Sequence, residues 1–178
     1  MLEGLVLGVM TMGCTVLEDF AAGGSMAHWY GVNDGVMGGR SKGEASRQSG
    51  AMVFEGTINT NGGGFSSVRR RLPEGVLEGA TRIEADLVGD GRSYELIFQT
   101  KEAFKGRPVT YRTGLTVGEH SGPVTASAPL TAMKSTVFGR QVPAAPFDGA
   151  GAVEMGIMLA DGQDGPFRLE VRKIEVCR

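Results

Sequence analysis

The chain has 178 residues, with 18 Lys and Arg against 20 Asp and Glu, a formal net charge of −2 with its 2 His neutral. That balance excludes a nucleic-acid binder held by phosphate contacts, which needs an excess of cations, and the length suits one domain over residues 1–178 with a buried core. Glycine is the outlier, 29 of 178 or about 16%, roughly twice ordinary usage; with 41% apolar residues the chain is expected to fold and to be rich in turns.

From residue 4 to residue 17 nothing is charged, which resembles the apolar part of a signal peptide, and Thr11-Met12-Gly13-Cys14 echoes the approach to a lipid-modified cysteine. No Lys or Arg precedes the run, Glu3 stands where positive charge belongs, and the run is shorter than the ~18 apolar residues that span a bilayer. The expectation is an ordinary buried segment of a cytoplasmic protein, with a site at the membrane surface fitting equally well. A signal remnant is the alternative. Short turns of helix fit residues 16–22 and 130–134, and no window of ten or more residues has a 3.6 period.

Period-two alternation dominates the chain beyond residue 50. Met52, Phe54 and Ile58 share one face of a strand opposite Val53, Glu55, Thr57 and Asn59. Ile83, Ala85 and Leu87 form a second inward set, and Tyr94, Leu96 and Phe98 a third. Between them Gly89-Asp90-Gly91-Arg92 reads as the turn of a β-hairpin. Val109, Tyr111, Thr113, Leu115 and Val117 alternate next, then Val153, Met155, Ile157 and Leu159. The last strand faces inward at Phe167, Leu169 and Val171 and resumes at Ile174 and Val176, a change of parity that predicts a β-bulge. Residues 118–152, broken by Pro123, Pro129, Pro143 and Pro146, read as loop-like pieces. Eight or nine short strands separated by Gly, Pro and Asp turns specify an all-β, antiparallel sandwich or barrel.

Two cysteines, Cys14 and Cys177, exclude a disulfide framework and a multi-thiolate zinc site. Two free thiols are expected, although terminal strands lying side by side would permit one bridge. His28 and His120 are too few for a metal cluster. Residues 29–41, Trp-Tyr-Gly-Val-Asn-Asp-Gly-Val-Met-Gly-Gly-Arg-Ser, fail as a phosphate loop because Asp34 and Arg40 stand where Gly and Lys are required. Their plain reading is a structured loop in which Asn33-Asp34-Gly35 turns and Gly38-Gly39 pass close to a neighbouring strand. In Asn61-Gly62-Gly63-Gly64-Phe65-Ser66-Ser67-Val68-Arg69-Arg70-Arg71, a flexible turn precedes a strand with Arg69 and Arg71 on one face and Arg70 on the other. A solvated face with one arginine paired to a carboxylate is expected there. Trp29 suits a core anchor better than a sugar-stacking platform. Asp34, Asp90, Asp161 and Asp164 match no calcium-loop spacing. No catalytic motif is visible, and neither an enzyme, a cofactor nor a metal is expected.

Residues 29–41 resemble the signature loop of the complex I intermediate-associated protein family. Phe54-Glu55-Gly56, Asn61 through Arg69, Gly89-Asp90-Gly91-Arg92-Ser93-Tyr94 and Gly165-Pro166-Phe167-Arg168-Leu169-Glu170 resemble its later blocks in order. The resemblance implies a jelly-roll sandwich of galactose-binding-domain-like type. It also implies a bacterial stand-alone, chaperone-like binding module whose partner is a protein, membrane-arm subunits or assembly intermediates of complex I. The family's Trp is missing around residues 122–124, Met133-Lys134-Ser135 replaces its Phe-x-Pro, and Phe138-Gly139-Arg140 keeps only part of the remainder. The expected binding patch is a loop cluster at one end of the sandwich: Trp29, Asn33, Asp34, Met37, Gly38, Gly39, Arg40 and Ser41 from the first loop, Gly63, Gly64, Phe65 and Arg69 from the second, and Asp90, Arg92 and Tyr94 from the third. The alternative is a module binding carbohydrate or another small ligand. An enzyme using Asp34, Asp90 and Arg69 is the least supported reading.

Overall fold

The computed structural model describes residues 13–115 and 122–178; Val117, His120 and the N-terminal apolar run before Gly13 lie outside them. Its strands form two antiparallel sheets. One orders β3 (Lys42–Gln48), β4 (Ala51–Ile58), β13 (Gly165–Cys177), β6 (Arg82–Val88) and β9 (Val124–Pro129), with β1 (Cys14–Asp19) pairing the end of β13. The other orders β11 (Arg140–Gln141), β10 (Lys134–Val137), β8 (Arg107–Leu115), β7 (Tyr94–Phe104), β12 (Glu154–Leu159), β5 (Ser66–Arg71) and β2 (Trp29–Asn33). The sheets share one core in a jelly-roll sandwich, to which the six-stranded sheet sends Met52, Phe54, Leu87 and Leu169 and the seven-stranded sheet Tyr94, Leu96, Phe98 and Ile157. Phe54 meets Tyr94 edge-on across the layers, ring centroids 6.5 Å apart. Each such fully buried side chain contributes about 1.5–3 kcal/mol.

The inward sets read from the sequence are buried in β4, β6, β7, β8 and β12, although Val53, read as facing outward, is buried as well, and Val153 precedes its strand and is exposed. The bulge lies where parity changes, as a register shift between Val171 and Lys173 against β6. The carbonyl of Arg172 inside it is taken by the Phe20 N–H at 2.9 Å. Other expectations fail. Residues 16–22 are not a helical turn, since β1 takes 16–19 and pairs with β13, and 20–22 form a turn. Residues 130–134 bend without helix, and the 118–152 stretch holds β9, β10 and β11.

The expected hairpin is absent too. β6 and β7 belong to different sheets, so residues 89–92 cross between layers. The two-residue hairpins lie elsewhere, at Ser49-Gly50, Lys105-Gly106 and Phe138-Gly139, each with positive φ at both central residues. Cys14 and Cys177 are joined in a disulfide, because β1 lies antiparallel to the last strand with these two residues in register. Of the three arginines in β5, two are paired. Arg70 is buried with Glu18, and Arg69 meets Glu154 at 3.3 Å.

Candidate binding site

Asp34 organises the first two loops. β2 ends at Asn33, a 3-10 turn covers Asp34–Met37, and Gly38 stops it at φ 85°, a left-handed conformation suited to glycine. The chain then doubles back, so the Asp34 carboxylate accepts from the Ser41 N–H at 2.9 Å, the Ser41 hydroxyl at 2.6 Å, and the N–H groups of Gly64 at 2.6 Å and Phe65 at 3.3 Å. Its side chain is closed to solvent, roofed by the loops it binds. Burial alone would raise the Asp34 carboxyl, but the hydrogen bonds from Ser41, Gly64 and Phe65 outweigh it and hold the group below the usual carboxylate range. A Cβ on Gly39 would lie 2.3 Å from Asp34 Cγ, and one on Gly63 would lie 2.4 Å from Oδ2. The glycine runs of both loops therefore serve close approach to one carboxylate.

Asn33 adds a second tie, donating to the Gly43 carbonyl at 3.1 Å and accepting from the Ser66 hydroxyl at 2.6 Å. The third segment is knotted to the 161–166 turn. Arg92 donates to Asp161 at 2.6 and 2.9 Å and to the carbonyls of Gln163, Gly165 and Pro166. Asp90 accepts from the Tyr94 hydroxyl at 3.0 Å and the Arg168 N–H at 2.7 Å. Burial, reinforced by Asp90, pushes the Tyr94 phenol well up. Asp164 accepts from the Thr60 N–H at 2.6 Å, and Thr60 follows Asn59, whose N–H donates to Ser41. The three predicted segments thus form one hydrogen-bonded assembly.

Most of the residues proposed to bind are consumed by that assembly. Trp29 is 9% exposed and packs on Phe20 with centroids 6.1 Å apart, so it offers no stacking face. Asp34 cannot reach a substrate from beneath its loops. All four aspartates considered for calcium have protein donors on their oxygens. Arg40 is exposed, with no ion pair among the described residues.

Met37, Phe65 and Arg69 do face open space, but on the outer face of the seven-stranded sheet. They line a groove of about 390 Å³. Its floor is set by register. Val32 of β2, Arg69 of β5, Met158 of β12, Gln99 of β7, Thr110 and Arg112 of β8 and Thr136 of β10 line it from six adjacent strands. Beside Arg69, Gly156 leaves no room for a side chain, since a Cβ there would lie 2.7 Å from the Val68 carbonyl oxygen and 2.9 Å from Arg69 Cγ. Arg69 is held by Glu154, which also accepts from the Tyr30 hydroxyl, and Arg112 by Glu95, its Nε at 3.0 Å. Burial, with help from Glu154, pushes the Tyr30 phenol up to about 12. Val36 and Met37 wall one side, 76% and 46% exposed, and Phe138, 64% exposed, walls the other with Arg107 5.0 Å from its ring centroid. Sequence reasoning missed Phe138, Arg107, Arg112 and Met158; the one signal for Phe138 was its glycine neighbour, which marks a primed turn.

Residues 18–171 match the family described as complex I intermediate-associated protein 30 (CIA30). No sequence among the curated proteins matches at a significant level. Among solved structures, the chain resembles the family 11 carbohydrate-binding module of the cellulosomal cellulase Lic26A-Cel5E of Clostridium thermocellum. The TM-score is 0.66 at 15% identity, over 94% of this chain and 96% of that one. The same organism's family 11 module in complex with a β-1,3-1,4-mixed-linked tetrasaccharide matches equally, at 0.66 and 16% over 93% and 96%. A family 29 module complexed with cellulohexaose matches at 0.54 and 14% over 94% and 92%. At these identities the likeness is one of fold.

Proposed function

Because the chain belongs to the complex I intermediate-associated protein 30 family, we propose that it is a non-enzymatic, chaperone-like binding module that assists assembly of respiratory complex I or a related membrane complex. The observation that carries this reading is how the polar and apolar groups are used. Asp34, Asp90, Arg92 and Tyr94 are spent on bonds within the protein, whereas Val36, Met37 and Phe138 stay exposed around one groove. Clustered exposed apolar side chains mark interaction surfaces. Among the described residues no helix is long and apolar enough to cross a membrane. The Cys14–Cys177 bond supports work in an oxidising compartment rather than the cytoplasm first expected, because cytosolic thiols are kept reduced.

The test is to tag the protein in its native host, crosslink, purify and identify what accompanies it by mass spectrometry. Enrichment of complex I membrane-arm subunits or precursors over an untagged control is expected. The exposed Met37→Asp change should abolish that capture with stability altered by less than about 1 kcal/mol. Recovery of no respiratory subunit, in a host that makes the complex, overturns the reading. The saccharide alternative has lost its platform with Trp29 in the core, and titration with mixed-linkage glucan oligosaccharides should give no binding.

A further inference from the structure

The groove on the seven-stranded sheet has two unlike walls. On the β2 side Val36 and Met37 present only apolar surface. The opposite wall is Arg107, Val137, Phe138 and Gly139, on two hairpin tips that also carry Lys105 and Arg140 outside the lining, with Lys134 at the start of β10. Residues 104–115 contain three basic and no acidic residues, and residues 122–147 contain two basic and none acidic. Among the described residues, Lys105, Arg107, Lys134 and Arg140 have no carboxylate within ion-pair distance. Phe138 is held on its tip with φ at 49°, which a bulky side chain rarely adopts.

Resting on the assembly reading above, we propose that this groove receives an extended segment of the protein partner, its apolar side chains against Met37 and Met158 and its carboxylates at the Arg107 wall. Charge complementarity sets the sign of the occupant, since an acidic segment supplies the counter-charge those cations lack among the described residues. The floor decides between a chain segment and a bilayer. Gln99, Thr110 and Arg69 line it; Gln99 donates to Thr110, and Arg69 to Glu154 and Ser67, and hydrocarbon pressed onto them would desolvate their remaining donors and acceptors, whereas a peptide backbone can hydrogen-bond to them. The apolar side chains also face one another across a recess, which an extended chain can enter and a flat membrane surface cannot.

Photocrosslinking in the native host tests this. p-Benzoylphenylalanine is placed at Met37 and Phe138 in the groove, and at Val16, an exposed apolar position in the six-stranded sheet, as the control. Protein adducts are expected from both groove positions and not from Val16. They should map to one partner segment that carries apolar residues together with Asp or Glu. The exposed Arg107→Glu change should lower adduct yield at position 138 about tenfold through charge repulsion, with the melting curve unchanged. Adducts only from Val16, only to lipid, or to a segment without carboxylates overturn the proposal, as does a yield indifferent to Arg107→Glu. Absence of any groove adduct while complex I subunits still co-purify with the tagged protein removes the groove and leaves the assembly reading standing. Groove adducts to a protein outside complex I do the reverse.

Discussion

Replacing Asp34 by Asn tests whether the signature loop is built on one carboxylate. Oδ2 accepts from the Ser41 hydroxyl, Gly64 N–H and Phe65 N–H, and Oδ1 from the Ser41 N–H. An Asn oxygen placed at the Oδ2 position keeps three of these without the charge. Its NH2 group then points at the Ser41 N–H, donor against donor, and leaves a buried N–H unpaired. An orphaned buried donor costs about 1–3 kcal/mol, and charge-assisted bonds weaken besides. The sum is about 3 kcal/mol, or about 6–12 °C in Tm for a chain of this size. Urea unfolding followed by circular dichroism should show a lower midpoint at unchanged slope. The pH dependence adds a signature. Because the folded Asp34 carboxyl is depressed, its contribution is complete above the unfolded-chain value of about 4 and is lost as pH falls through the lower folded value. The gap between wild type and Asp34→Asn should therefore stay flat near neutrality and narrow below about pH 4. A Tm within about 2 °C of wild type, or a gap that persists undiminished in acid, would refute the reasoning.

Gly39→Ala and Gly63→Ala should each cost about 2–3 kcal/mol in urea unfolding, since the new Cβ meets the Asp34 carboxylate. Gly35→Ala, in the same loop with nothing within 4 Å of its Cβ, should change stability by less than about 0.5 kcal/mol. Reduction of the Cys14–Cys177 bond releases a loop of sequence separation 163. It should lower stability by about 5 kcal/mol and Tm by about 10–20 °C, read by scanning calorimetry with and without reductant. All three tyrosines, Tyr30, Tyr94 and Tyr111, ionise above their ordinary value in the folded state, chiefly through burial. Phenolate absorbance at about pH 10.5 should accordingly be lower in native protein than in urea, with stability falling as pH rises past about 10.

The strands were legible because a sandwich writes its inner faces into the chain at period two, and the bulge because losing that parity between Val171 and Ile174 has one physical reading. What residues 89–92 do was not legible. A hairpin turn and a crossing between sheets use the same Gly-Asp-Gly residues, and the crossing is fixed by Arg92 and Asp90 bonding to groups more than 60 positions away. The turn chemistry of Ser49-Gly50 and Lys105-Gly106 was present but overlooked beside richer glycine clusters. The segments of the expected site were legible as a group, and the role of most was not. Charge and glycine density mark a tightly built loop equally well whether it binds a ligand or itself. Glu18 and Arg70 were inseparable from ordinary surface charges until β1 and β5 placed them together out of solvent. The groove depends on register across six strands, and no local pattern encodes register between strands so far apart in the chain.

The stapling of Gly13–Thr15 to Cys177 and Arg178 has a consequence for mechanical load. Besides the Cys14–Cys177 bond, the Arg178 N–H donates to the Gly13 carbonyl at 3.3 Å, and its side chain donates to Thr15 at 2.9 Å. Gly13 and Arg178 therefore sit side by side on the six-stranded sheet. Pulling on these two residues at once stretches a covalent bond rather than unzipping strands, and carries no load through the other layer. Such adjacency also favours circular permutation: a short bridge between Gly13 and Arg178, with the chain reopened at the Ser49-Gly50 turn, should keep the same architecture with its entry and exit moved to another corner.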